Sequence, residues 1–136
     1  MSVTSLLVKL AFKKGDIKRD SGLVTPDGVI RYDDIRYAGN KKWNVLDVYR
    51  PKDRDGEKLP VIISFHGGAW VYGTKETYQY YGMSFAKRGF AFVNFTYRLA
   101  PKYKFPAPLE DMNTVCRWVL DNKDRYGFDT DNMFAA

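Results

Sequence analysis

The run Val61-Ile-Ile-Ser-Phe65 is the feature that most restricts what this chain can fold into, because it leaves no side for water. Such a run reads as a strand buried on both faces, inside a sheet covered by helices on each side. It stops in His66-Gly67-Gly68, which opens onto an aromatic, glycine-containing loop over residues 70–77. The pattern predicts a helix over residues 78–88, closed by Gly89, which leads into a second buried run, Phe90-Ala-Phe-Val-Asn-Phe-Thr-Tyr97. Strand, helix, strand is a parallel crossover unit, so the fold class is α/β.

The flanking segments fit the same architecture. Val29-Ile-Arg-Tyr32 and Trp43-Asn-Val-Leu-Asp-Val-Tyr49, separated by the turn-prone stretch 38–42, predict an antiparallel hairpin. Downstream of a proline-rich loop, Pro108, Glu110 and Asp111 mark a helix start. Leu109, Met112, Val115, Cys116, Val119 and Leu120 form its apolar stripe, and Gly127 is its expected stop. Asn132-Met-Phe-Ala-Ala136 reads as the opening of a further buried strand. At the other end, Val3, Leu6, Leu7, Leu10 and Ala11 recur at helical spacing, predicting an amphipathic helix over residues 1–15 that ends at Gly15. Such a helix covers an active site, touches a membrane or packs on the body of the protein, and packing is the default. Residues 16–136 then form the α/β body, with no internal repeat or linker to suggest another domain.

Composition removes several functional classes. One cysteine, Cys116, and one histidine, His66, exclude a disulfide framework and leave little for a metal centre, so neither metal nor cofactor is expected. The net charge of +6 comes partly from Lys9, Lys13, Lys14, Lys18 and Arg19, but no basic block is interleaved with stacking aromatics, so nucleic acid is not an expected partner. No run approaches the ~18 to 20 apolar residues that span a bilayer, and the first ten residues lack a signal-like pattern. The expectation is a cytoplasmic protein with no stable membrane anchor.

The chemistry is carried by the glycines after the buried strand. They let the backbone turn sharply and aim successive N–H groups at a charge developing on a substrate oxygen, at the sheet edge where α/β enzymes bind ligands. Taken alone, the tripeptide also fits an ordinary tight turn. It is followed, however, by a second landmark: Tyr97-Arg98-Leu99-Ala100-Pro101, then Phe105-Pro106-Ala107 and Asp111. Together with His66-Gly67-Gly68-Ala69-Trp70, these residues resemble the hormone-sensitive-lipase-like esterases of the α/β-hydrolase fold, from about residue 29 onward.

The resemblance implies a serine carboxylesterase or deacetylase acting on short acyl esters through an acyl-enzyme, or, in another class, a non-catalytic hydrolase-like binding module. It implies that the N–H groups of Gly68 and Ala69 form the oxyanion hole, that His66 and Gly67 support the loop, and that Trp70 and Tyr72 flank the substrate pocket. Ala69 stands where the family more often has a third glycine, which puts loop geometry in question. Arg98 and Asp111 are expected to form a structural ion pair, or else to be solvated surface charges.

The family carries its nucleophile on a Gly-x-Ser-x-Gly elbow after the next strand, followed by an acid and a histidine. None of the three is expected within these residues. Gly82-Met83-Ser84-Phe85-Ala86 mimics the elbow but lies in a helical pattern, and Cys116 lies on an apolar stripe. The chain is therefore expected to be the front part of a mostly parallel α/β-hydrolase, a fragment or cleavage product with its last strand cut short. That would leave the 61–65 strand as an unprotected edge, prone to self-association or dependent on a C-terminal part.

Overall fold

The computed structural model describes residues 3–136. In chain order it contains α1 (Val3–Asp20), β1 (Val29–Arg36), β2 (Val45–Pro51), β3 (Leu59–Phe65), α2 (Gln79–Ala86), β4 (Ala91–Thr96), α3 (Ala107–Asp121), α4 (Lys123–Tyr126) and β5 (Phe128–Ala135). The five strands form one sheet in the order β1-β2-β4-β3-β5. β1 pairs antiparallel with β2, and β2 antiparallel with β4, while β3 runs parallel to both β4 and β5. The sheet is thus mixed rather than mostly parallel, because the N-terminal hairpin joins the parallel strands through β2.

Alternation along the strands sorts side chains to two cores. Leu46, Val48, Val61, Ile63, Val93 and Phe95 face one side with Val115 and Val119 of α3, while Tyr49, Ile62 and Phe92 face the other with Met83 and Ala86 of α2. Both faces of β3 are therefore dry, as its composition requires. Arg50 closes the end of the sheet: its Nη2 donates to the carbonyls of Glu57 at 2.8 Å and Arg54 at 3.2 Å, and its Nη1 to that of Tyr126.

Several expectations are corrected here. β3 is not an edge, because β5 begins at Phe128 and covers it from Leu59 to Ile63, with the Phe65 N–H reaching the Ala136 carbonyl at 2.6 Å. Polar Asp129, Asp131 and Asn132 hid the start of β5; Asp131 and Asn132 lie exposed along it. α3 stops at Asp121, and Gly127, with φ 60°, ends the separate short helix α4. Leu109 and Leu120 on its expected stripe are 46% and 47% exposed.

α1 does not end at Gly15; it continues to Asp20, with Arg19 bonded to Asp16 and Asp20 at 2.8 Å each in its last turn. A glycine inside a helix costs about 1 kcal/mol, which five further helical residues and these pairs offset. Nor does its apolar stripe pack inward. Leu7, Leu10 and Ile17 are about 60% exposed, whereas Phe12 stacks on Tyr72 with ring centroids 6.0 Å apart and Asp16 accepts the Tyr72 hydroxyl at 2.5 Å. No helix among the described residues is long and apolar enough to cross a membrane.

Candidate active site

The loop leaving β3 turns back on itself within three residues. Gly68 has φ 118°, Ala69 φ 52° and Trp70 φ 64°, and the Gly68 carbonyl accepts the N–H groups of Val71 at 3.1 Å and Tyr72 at 3.0 Å. Glycine is required at 68, since a Cβ there would lie 2.1 Å from the Tyr72 carbonyl oxygen. Ala69 and Trp70 occupy the left-handed region that L-residues tolerate at about 1–2 kcal/mol each. So the alanine at position 69 does sit where dihedrals favour glycine. Among the described residues no acceptor takes the N–H of Gly68 or Ala69, which leaves both donors available at the carboxyl end of β3.

His66 fixes the start of this turn from beneath. It is 1% exposed, its ring stacks on Tyr97 at 4.1 Å and 15°, and the Tyr97 hydroxyl donates to the His66 carbonyl at 2.6 Å. Phe65 stacks on the same tyrosine at 4.3 Å. Nδ1 lies 2.8 Å from the Gly67 carbonyl, which assigns the proton to Nδ1 and leaves the buried Nε2 without a partner among the described residues. Burial holds its pKa down at about 4, so the imidazole is neutral at physiological pH.

The far end of the loop is held by charge, and nothing in the sequence reading singled it out. Lys75 is 7% exposed; its Nζ lies 2.9 Å from Asp47, 3.0 Å from Asp34 and 2.7 Å from Glu76. Its backbone N–H donates to Thr96 Oγ1 at 2.9 Å. Asp47 is fully buried on β2 and also accepts the Asp34 N–H at 2.8 Å and the Tyr49 hydroxyl at 3.1 Å. Burial works against the Lys75 ammonium, but its bonds to Glu76 and Asp47 outweigh that and raise its pKa. For Asp47 burial prevails and pushes the carboxyl up; the geometry nevertheless places a protonated amine directly on it, so we read the pair as ionised.

Arg98 and Asp111 come together as an ion pair, with Nη2 2.9 Å from Oδ1 and the Arg98 N–H donating to Oδ2 at 2.8 Å. Asp111 is 3% exposed and also receives Asn44 Nδ2 at 3.2 Å, so it pins the loop after β4 to α3 and to the hairpin. Trp70 and Tyr72, in contrast, go to different places. Trp70 borders a slot of about 370 Å³ with the loop after β4. Tyr72 borders a larger cavity of about 780 Å³ between α1 and the body, which neither Gly68 nor Ala69 lines. Its hydroxyl is held by Asp16, and burial together with that carboxylate pushes its pKa up to about 12.

The two alternative nucleophiles are unsuited to attack. Ser84 lies inside α2, bonded to Arg88. Cys116 is half-buried on α3, and burial pushes its thiol pKa up.

Comparison with known proteins follows this geometry. The family model BD-FAE matches residues 46–136. Esterase LipC of Mycobacterium tuberculosis is 35% identical over 99 residues, which is 72% of this chain and 25% of that protein. Among solved structures, esterase B from Lactobacillus rhamnosis superimposes with a TM-score of 0.86 at 26% identity, covering 97% of this chain and 44% of that one. It has also been solved inhibited with a tributyrin phosphonate. The Pyrobaculum calidifontis esterase gives 0.78 at 34% identity, covering 99% and 42%. The chain thus spans about a quarter of that curated relative and less than half of each solved one.

Proposed function

This chain belongs to the BD-FAE family, and from that premise we propose that it forms the oxyanion-binding front of a serine carboxylesterase acting on short-chain acyl esters. The observation that carries the reading is the pair of unclaimed N–H groups on Gly68 and Ala69. They are held in a left-handed turn whose backing, His66, is buried and neutral. Donors fixed before the reaction stabilise the negative charge of a tetrahedral intermediate without reorganising, worth about 3–4 kcal/mol per donor in enzymes of this chemistry.

The attacking serine, its acid and its base are not supplied by these residues, since His66 is the sole imidazole and faces Tyr97 rather than solvent. We place them in sequence outside the 136 residues; the chain alone is then inactive. Short acyl groups are favoured by the aromatic side chains at the loop and by the tributyrin-type inhibitor of esterase B.

The test is the intact mass of the full protein before and after a fluorophosphonate. One adduct on a serine outside residues 1–136 is the expected result. An unlabelled protein would leave a hydrolase-like binding module, and an adduct on Ser84 would overturn the assignment of the loop.

A further inference from the structure

α1 turns most of its apolar side chains to water. It meets the body through Phe12, stacked on Tyr72, and through Asp16, which accepts the Tyr72 hydroxyl at 2.5 Å. Arg19 holds Asp16 and Asp20, the only acids of the helix, at 2.8 Å each, and all three line the cavity between α1 and the body. Val3, Leu7 and Ile17 share the opposite face, since spacings of four and fourteen positions return to nearly the same side at about 3.6 residues per turn. They are 75%, 61% and 60% exposed. Leu6 and Leu10 widen that face toward the mouth of the cavity. Lys14 and Lys18, four and eight positions after Leu10, continue it, and Lys13 stands at its border; all three are exposed. The outward face of α1 thus carries apolar side chains and cations, and no carboxylate.

We propose that this face docks reversibly on an anionic bilayer surface, with α1 lying in the plane of the lipid headgroups. Charge complementarity selects the occupant. The stems of Lys13, Lys14 and Lys18 lie along apolar surface while their ammonium groups reach lipid phosphates. Val3, Leu7 and Ile17 supply the apolar contact at the boundary between headgroups and acyl chains, as in other basic amphipathic helices. A second copy of α1 presents the same cations and brings no anion to them. The contact is with the surface, because no helix among the described residues is long and apolar enough to cross a membrane. The opposite side of α1 holds Tyr72, so docking brings the loop after β3 within about one helix diameter, 10–12 Å, of the lipid. The inference stands on α1 and is independent of the oxyanion reading.

The experiment is flotation of the full protein with vesicles of phosphatidylcholine alone and of equal parts phosphatidylcholine and phosphatidylglycerol. The expected result is partitioning onto the mixed vesicles at least about tenfold stronger than onto phosphatidylcholine, each lysine near the anionic surface contributing about fivefold. Lys14→Glu combined with Lys18→Glu removes that preference and leaves binding to phosphatidylcholine nearly unchanged. Leu7→Ser combined with Ile17→Ser weakens binding to both by about tenfold. Leu120→Ser, at an exposed leucine of α3, changes neither. Every substituted side chain is exposed, and the two helix variants lose binding through different chemistry, so a loss of fold would not reproduce the pattern. Absence of flotation with mixed vesicles, as when further sequence covers α1, overturns the proposal. So do equal partitioning onto the two vesicle types and binding that both helix variants leave unaltered. A dimer that Leu7→Ser with Ile17→Ser converts to monomer, with no vesicle binding, gives the face to a second copy and also overturns it. Variant-sensitive flotation of a protein that fluorophosphonate does not label supports the docking face while removing the esterase reading.

Discussion

The loop from His66 to Lys75 is gripped at both ends by buried polar side chains, yet the two grips work by opposite physics. At the first end a neutral imidazole lies flat on Tyr97, its charge suppressed by burial. At the second, a full ammonium is sunk among Asp47, Asp34 and Glu76 and stays charged because they surround it. Between them, Gly73 packs against the His66 ring so closely that a Cβ there would sit 2.3 Å from Nδ1. The role proposed for this loop calls for rigidity, and the contrast teaches that stacking and ion pairing supply it with different sensitivities to pH.

The largest effect should come from breaking the ionic grip. Lys75→Met leaves Asp47 buried and uncompensated, and urea unfolding should show a loss of about 3–5 kcal/mol. Adding Asp47→Leu should return most of it, and a double-mutant cycle without coupling between the two would refute the ionic account.

The neutral grip should fail in acid instead. His66 has its folded pKa lowered from 6.5 to about 4, so between those values the unfolded chain binds the proton that the folded chain refuses. Stability therefore falls as pH falls through that window, by about 3 kcal/mol in all, and is fully present above 6.5. Thermal melts across that range should show this slope in the wild type and a shallower one in His66→Gln. The raised pKa of Lys75 leaves the ammonium charged over the same range, and the stability that shift contributes is lost only as pH rises from the unfolded value to the folded one.

Substitutions between the grips should have smaller effects. Gly73→Ala, at φ 105°, forces the new methyl against the His66 ring and the Gly67 carbonyl, with an expected cost of about 2 kcal/mol in chemical unfolding. Ala69→Gly relieves a left-handed residue and should leave stability within about 1 kcal/mol of the wild type, the lost strain offset by the greater freedom of the unfolded chain. A large loss of stability in that variant would show that the alanine methyl is itself a contact.

How much of this was legible in the sequence differs between the same two ends. The His66 end was readable because the apolar run ending in paired glycines is followed by Tyr97-Arg98-Leu99-Ala100-Pro101 and Asp111, and the two together carry the resemblance. The Lys75 end was not, because Gly73-Thr-Lys-Glu-Thr77 is polar throughout and reads as a solvated turn. Its burial depends on β2 and on the bulge between Tyr32 and Ile35 that brings Asp34 over it, and neither is a local property. Asp47 sits in Val45-Leu-Asp-Val-Tyr49 as a normal alternation partner, with no hint that its face is covered. The hairpin, the crossover and the inner part of the α3 stripe, Met112, Val115, Cys116 and Val119, followed from periodicity. The reach of α1 past Gly15 and the outward turn of its leucines did not, since both depend on a contact with Tyr72 that lies 56 positions from Asp16.

The strand order β1-β2-β4-β3-β5 also sets a timetable for the growing polypeptide. β3 is made before either of its neighbours, and β2 pairs with β4 rather than with the strand that follows it. At a ribosomal pace of about 5–20 residues per second, this apolar strand waits roughly 1.5 to 6 seconds before Ala91–Thr96 exists to shelter one edge, and longer for Phe128–Ala135 to shelter the other. During that interval the nascent chain offers an apolar ribbon with open hydrogen-bonding edges on both sides, and its safe passage depends on what holds it in the meantime.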